Sequence, residues 1–184
     1  MKKILITGNP AKGLAASLHG IWPAADFISR ANGWDLTKDS RITDLANLVL
    51  QYDIFINNSA LWRFYQTLVL ETVYKSAKAA GRDMRIICIG STTDRATKGS
   101  DWLYQQEKKA LRSYCNSLNL TGVWSGGPLV SYISFGTLSN NQDKHPSRTC
   151  MDIDLAASYV KWLAEQPTNV AINEISIDPV QVPA

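Results

Sequence analysis

The chain is poor in the residues that build staples and metal centres. It has three cysteines and two histidines in 184 residues. Cys88, Cys115 and Cys150 are odd in number and widely spaced, which does not suit a disulfide framework and reads as reduced thiols of a cytoplasmic chain. His19 and His145 have no cysteine or carboxylate at ligand spacing, so no metal site is expected. No apolar stretch approaches the ~18 residues of a membrane span. Met1-Lys2-Lys3 is followed by an apolar run that stops at Thr7-Gly8-Asn9-Pro10, too short for the core of a signal peptide. A membrane partner is therefore not expected. Basic charge is also scarce as a pattern: 19 Lys and Arg face 16 Asp and Glu, net +3, with no basic run. That argues against a nucleic-acid partner. No repeat, low-complexity tract or linker breaks the chain, and residues 1–184 fit one domain with a real core.

What is present alternates. Apolar runs at residues 3–7, 26–29, 34–36, 53–57, 84–89, 121–125 and 172–177 read as strands. Helical spacing marks residues 13–21, 41–51, 61–80, 101–118 and 153–165, the last capped near Asp152. This pattern predicts an α/β fold: a doubly wound, Rossmann-like parallel sheet of about seven strands with helices on both faces. The long irregular piece is 136–149, rich in Asn, Ser, Gln and Pro, which is either a functional lid or a mobile loop.

Between strand one and helix one lies Thr7-Gly8-Asn9-Pro10-Ala11-Lys12-Gly13-Leu14-Ala15. Glycines there permit a tight turn and let backbone amides approach a pyrophosphate at a helix N-terminus. The alternative is a plain glycine turn. Arg30 ends strand two, 22 residues after Gly8, where a dinucleotide fold chooses between an acid for a ribose 2′-hydroxyl and an arginine for a 2′-phosphate. Lys12 adds a second cation. Asp35 either accepts from an adenine amino group or caps Thr37.

Tyr104 and Lys108 stand one helical turn apart, with Ser91 thirteen residues upstream at the end of a strand-like run. A Tyr-x-x-x-Lys match alone is weak, since roughly 0.4 would arise by chance in this composition, and Tyr74 with Lys78 is a second one. The setting separates Tyr104. Tyrosine at pKa ~10 is poorly matched to neutral pH, and an ammonium one turn away would lower it. Tyr104 would act as proton donor to a carbonyl, with Ser91 holding the carbonyl oxygen. The structural alternatives are an amphipathic-helix tyrosine, a solvated lysine and a capping serine.

Taken in order, these motifs resemble the short-chain dehydrogenase/reductase family over almost the full length. The glycine segment from Thr7 to Ala15, Asp35-Leu36-Thr37, the strand-four run Asp53-Ile54-Phe55-Ile56-Asn57-Asn58-Ser59-Ala60, the set Ser91, Tyr104 and Lys108, Gly127-Pro128-Leu129-Val130, and Glu174-Ile175-Ser176-Ile177-Asp178-Pro179 each resemble a family motif. The resemblance implies an NAD(P)-dependent oxidoreductase acting on a small carbonyl or hydroxyl compound. It implies NADP as cofactor, with NAD possible. It assigns catalysis to Ser91, Tyr104 and Lys108. Cofactor contacts fall to Gly8, Asn9, Lys12, Gly13, Leu14, Arg30, Asp35, Leu36, Asn58, Ser59, Ala60, Tyr104 and Lys108, and to Pro128, Leu129 and Val130 beside the nicotinamide. It also implies a homodimer or homotetramer through helices 61–80 and 101–118.

Departures are visible too. Gly13 sits one position late, the helix between strands two and three is missing, and helix 61–80 holds no asparagine for the family's fourth catalytic position; Gln66 is the nearest amide. These favour, as the alternative, a catalytically weak dinucleotide-binding regulatory or scaffold protein. A nucleotide-sugar epimerase or dehydratase is a third reading, opposed by the short C-terminal part.

Overall fold

The computed structural model describes residues 2–97 and 100–180, so the domain expected over 1–184 is seen over these. Eleven main elements alternate: β1 Ile4–Thr7, α1 Gly13–Ile21, β2 Asp26–Ile28, α2 Asp39–Leu48, β3 Ile54–Asn57, α3 Tyr65–Ala79, β4 Arg85–Ser91, α4 Leu103–Ser125, β5 Leu129–Phe135, α5 Ile153–Ala164 and β6 Glu174–Ile177. The strands form one parallel sheet in the order β2-β1-β3-β4-β5-β6. The order reverses around β1 and β3, which opens a crevice at the carboxyl ends of those strands.

Side chains alternate across the pleat and divide the core in two. Leu5, Phe55, Ile86, Cys88, Val130 and Tyr132 meet Leu45, Val69, Val73 and Leu111 of α2, α3 and α4. Ile6, Ile56, Ile87 and Ile133 meet Leu18, Ala157 and Val160 of α1 and α5. Asp152 caps α5 by accepting from Leu155 N at 2.8 Å.

The described residues hold six strands, not about seven, and two expected strands are absent. Residues 34–36 are not a strand. A turn over Arg30–Asn32 ends on left-handed Gly33, Trp34 N bonds back to Ser29 O, and Leu36 is buried as an anchor. Five residues cannot carry a crossover back to the same sheet, which takes ten or more. Residues 121–125 are the last turns of α4. Thr121 Oγ1 donates to Ser117 O at 3.0 Å, and Gly122 lets the helix press on Pro128, whose carbonyl would lie 2.5 Å from an added Cβ. The strand belongs instead at β5, where seven residues pair along the full length of β4. Helix α3 starts at Tyr65 rather than 61, because Arg63 and Phe64 adopt φ of 60° and 62°, which no helix turn accommodates.

Gly90 on β4 is the tightest position. An added Cβ would lie 2.0 Å from Cζ and Oη of Tyr132, a fully buried ring. We predict that Gly90→Ala lowers the unfolding free energy by about 3 kcal/mol through overpacking. Gly20→Ala in α1, where nothing lies within 4 Å, should be neutral or stabilising by up to about 1 kcal/mol. Chemical denaturation of both variants measures this.

Candidate active site

A cleft of about 550 Å³ runs across the carboxyl ends of the central strands. The glycine segment forms one wall, with Gly8, Asn9, Lys12, Gly13 and Leu14 all lining it. Gly8 has φ 142°, and a Cβ there would stand 2.7 Å from Asn58 Nδ2 and 2.9 Å from Ala15 Cβ. Position 8 is therefore glycine because its backbone conformation and its close packing on Asn58 and Ala15 leave no place for a side chain. Thr7 Oγ1 accepts from the amides of Asn58 and Ser59, each at 2.9 Å, and Asn58 Nδ2 donates to Thr7 O at 3.0 Å. These bonds fix Asn58, Ser59 and Ala60 as the floor of the cleft.

Arg30, Trp34 and Leu36 close the far end. Neither Arg30 nor Lys12 makes a salt bridge among the described residues, so that end carries two uncommitted cations. Asp35 does not line the cleft. Its Oδ1 accepts from Thr37 Oγ1 at 2.7 Å and Thr37 N at 3.2 Å, and these bonds, foremost that of the Thr37 hydroxyl, hold its carboxyl below the usual range. It is a turn cap here, the alternative reading of that residue.

Pro128, Leu129 and Val130 are not at the cleft. Leu129 pairs with Arg85 at the start of β4, whereas Ser91 at its end pairs with Phe135. Six residues of strand are about 20 Å, so this segment sits at the amino-terminal end of the sheet, opposite the cleft. Residues 121–125 complete α4, so the strand begins at Leu129 instead of ending before Gly127. The segment that follows β5 supplies Leu138, Asn140 and Asn141 to the cleft instead. Sequence reading missed these, and it missed Trp34. The Asn-rich stretch was visible, but nothing in it showed which edge it would reach.

At the near end Tyr104 and Lys108 line the cleft, and Ser91, which is not among the lining residues, is a hydrogen-bonding neighbour of Tyr104. Ser91 is the last residue of β4; Tyr104 and Lys108 occupy the first turns of α4. The tyrosine ring lies between two half-exposed indoles, with centroids 5.7 Å to Trp62 and 5.0 Å to Trp102. Burial raises the Tyr104 pKa, hydrogen bonding with Ser91 pulls it down, and Glu107 and Asp94 push it up. The lowering expected from Lys108 does not prevail. Lys108 Nζ lies 5.3 Å from the ring centroid and is committed elsewhere: it donates to Gln66 Oε1 at 2.6 Å and to Ile89 O at 3.3 Å. Burial brings its pKa down to about 8.

Gln66 is the helix amide that the sequence offered without a clear role. Its Nε2 donates to Asn57 O at 2.9 Å and Ile89 O at 3.0 Å, while Asn57 Nδ2 donates to Gln66 O at 2.9 Å. Glu107, also buried, accepts from the amides of Arg63 and Phe64. It satisfies the free donors of the two left-handed residues that lead into α3. Tyr74 and Lys78, the second match to the spacing, sit together at 5.8 Å on α3, away from the cleft lining.

The buried lysine makes stability depend on pH. Its folded pKa of about 8 lies below the free value of about 10.4. The cost of burying the charge is fully present below pH 8 and fades as pH rises, because between those values the unfolded chain binds the extra proton. We predict that the unfolding free energy of wild type, taken relative to Lys108→Met, rises by on the order of 3 kcal/mol from pH 7.5 to pH 10.5. A pH-independent difference in denaturation would contradict this assignment.

No family model matches the chain, and no curated protein matches it. Solved structures do. Acetoin dehydrogenase YohF from Salmonella typhimurium superposes with a TM-score of 0.74 at 16% identity, covering 97% of this chain and 96% of that one. ElxO with NADP bound gives a TM-score of 0.72 at 14% identity over 97% and 98%. A short-chain dehydrogenase from Leptospira borgpetersenii with bound NAD+ gives 0.73 at 16% over 96% and 91%. No helix among the described residues is long and apolar enough to cross a membrane. Over nearly its whole length, the chain has the fold of the short-chain dehydrogenases/reductases.

Proposed function

We propose that the protein is an NAD(P)-dependent oxidoreductase, favouring NADPH, that moves a hydride between the cofactor and a small carbonyl or hydroxyl compound. One observation carries this reading: Tyr104 and Lys108 line the same cleft as the glycine segment, Lys12 and Arg30. Similar folds hold NADP in one solved structure and NAD+ in another.

The residues present fit a dinucleotide. Gly8 packs tightly on Asn58 and Ala15 and holds the turn along which Gly8, Asn9, Lys12, Gly13 and Leu14 line the cleft, which suits backbone amides meeting a pyrophosphate. Arg30 and Lys12 suit a 2′-phosphate. When bound, the nicotinamide supplies or receives the hydride. In the reductive direction Tyr104 gives its hydroxyl proton to the carbonyl oxygen, and Ser91 holds that oxygen in place by a hydrogen bond. Lys108, with a pKa of about 8, carries its proton at neutral pH and stabilises the tyrosinate left behind. The same reading takes the protein as cytoplasmic. It also takes the protein as a homo-oligomer through α3 and α4, which leave Leu68, Leu120 and Val123 exposed.

The bond from Lys108 to Gln66 favours a second reading, a dinucleotide binder with weak catalysis, since a lysine bound inward is less available to the tyrosine. Turnover separates the two. With NADPH and a panel of aldehydes, ketones and quinones, the oxidoreductase reading predicts reduction of at least one. Tyr104→Phe should then lower kcat by roughly 100-fold or more with NADPH affinity nearly unchanged, and Tyr74→Phe should be close to silent. Tight NADPH binding without turnover would select the second reading.

A further inference from the structure

Behind Ser91 lies a buried pair that the proton relay does not use. Tyr132 of β5 is fully buried and Asp94, in the turn after β4, is 4% exposed. Tyr132 Oη donates to Asp94 Oδ2 at 2.6 Å and accepts from the Ser91 amide at 3.3 Å. The ring stands where a side chain at position 90 would be, 2.0 Å from a Cβ built there. Gly90 thus gives up its side chain so that the phenol can reach the serine's backbone. The Ser91 hydroxyl is held as well, since Oγ accepts from Thr93 N at 3.4 Å, and Thr93 and Asp94 belong to the same turn. With one lone pair of Oγ engaged by Thr93, the hydroxyl proton is left to point elsewhere, and Tyr104 is its neighbour.

We propose that Tyr132 and Asp94 are positioning residues that fix Ser91 by its amide and so aim its hydroxyl at the reacting oxygen. The inference rests on the oxidoreductase reading. The chemistry explains why both groups are needed. A phenol that accepts from an amide has one proton left to place. The carboxylate at 2.6 Å takes it in a charge-assisted bond, which locks the phenol's orientation. Asp94 is not a spare surface acid: burial raises its pKa, the Tyr132 bond pulls it down, and Arg112 of α4, Glu174 of β6 and Arg95 also act on it. Arg112 is itself paired to Glu174 at 2.6 Å, so the Tyr132 hydroxyl is the hydrogen-bond partner of Asp94 Oδ2, and Oδ1 has none among the described residues.

The test is a double-mutant cycle in kcat on whichever carbonyl the panel identifies, at saturating NADPH. Tyr132→Phe keeps the ring over Gly90 and removes only the hydroxyl. It should lower kcat roughly 10-fold, with KM for the carbonyl changed less than about 3-fold, as a misaimed group costs rate rather than binding. In a Ser91→Ala background it should cost nothing further, because it acts through the serine. Asp94→Ala should fall to the level of Tyr132→Phe, and Asp94→Asn, which keeps an acceptor, should recover most of that loss even if Tyr132→Phe folds poorly. Wild-type kcat in Tyr132→Phe, or losses that add to those of Ser91→Ala, would overturn the proposal while leaving the enzyme reading intact. Absence of turnover in wild type would overturn both.

Discussion

A buried amine must be given acceptors, and much of this site follows from how Lys108 obtains them. Its Nζ bonds Gln66 Oε1 at 2.6 Å and Ile89 O at 3.3 Å. A bond to a charged group contributes about 1.5–3 kcal/mol, and an unpaired buried charge costs far more. Gln66 in turn bonds the ends of β3 and β4. One amine therefore ties α4 to α3 and both helices to the strand ends where the cleft opens. The short irregular entry to α3 follows as well, since Glu107, one residue before Lys108, holds the left-handed pair Arg63 and Phe64.

The cleft is chemically divided. Its far end has Arg30 and Lys12, neither in a salt bridge among the described residues, and its near end has Tyr104 flanked by indoles. A ligand spanning both would place a polyanionic part among cations and amides and a planar, reactive part against aromatic surface. Charge far from the reacting centre contributes affinity, and the buried Lys108 beside Tyr104 works in a lower dielectric, where each hydrogen bond is stronger.

The parts of the structure set by local chemistry were legible in the sequence. Apolar runs marked β1, β3, β4 and β6 to within two residues, and Gly81 marked the end of α3. Tyr104 and Lys108 were legible because helical spacing alone puts them on one face. What depended on register was not. Thr121 and Val123 are β-branched and look like strand, yet they complete α4 because Gly122 can pack on Pro128. β5 carries serines on both faces, which weakens its apolar pattern, so its start at Leu129 was not legible and Pro128, Leu129 and Val130 lie at the far end of the strand from the cleft. Gln66, Asn140 and Trp34 reach the site only through tertiary packing, which no spacing rule encodes.

The ligand proposed for the cleft is a phosphorylated nicotinamide dinucleotide. Calorimetric titration of wild type and Arg30→Ala with NADPH and NADH tests it most directly. The account predicts saturable binding, tighter for NADPH, with Arg30→Ala weakening NADPH by roughly 10-fold or more and NADH little, as expected for loss of one charge-assisted contact. No binding of either dinucleotide to wild type, or equal loss of both in the variant, would contradict it.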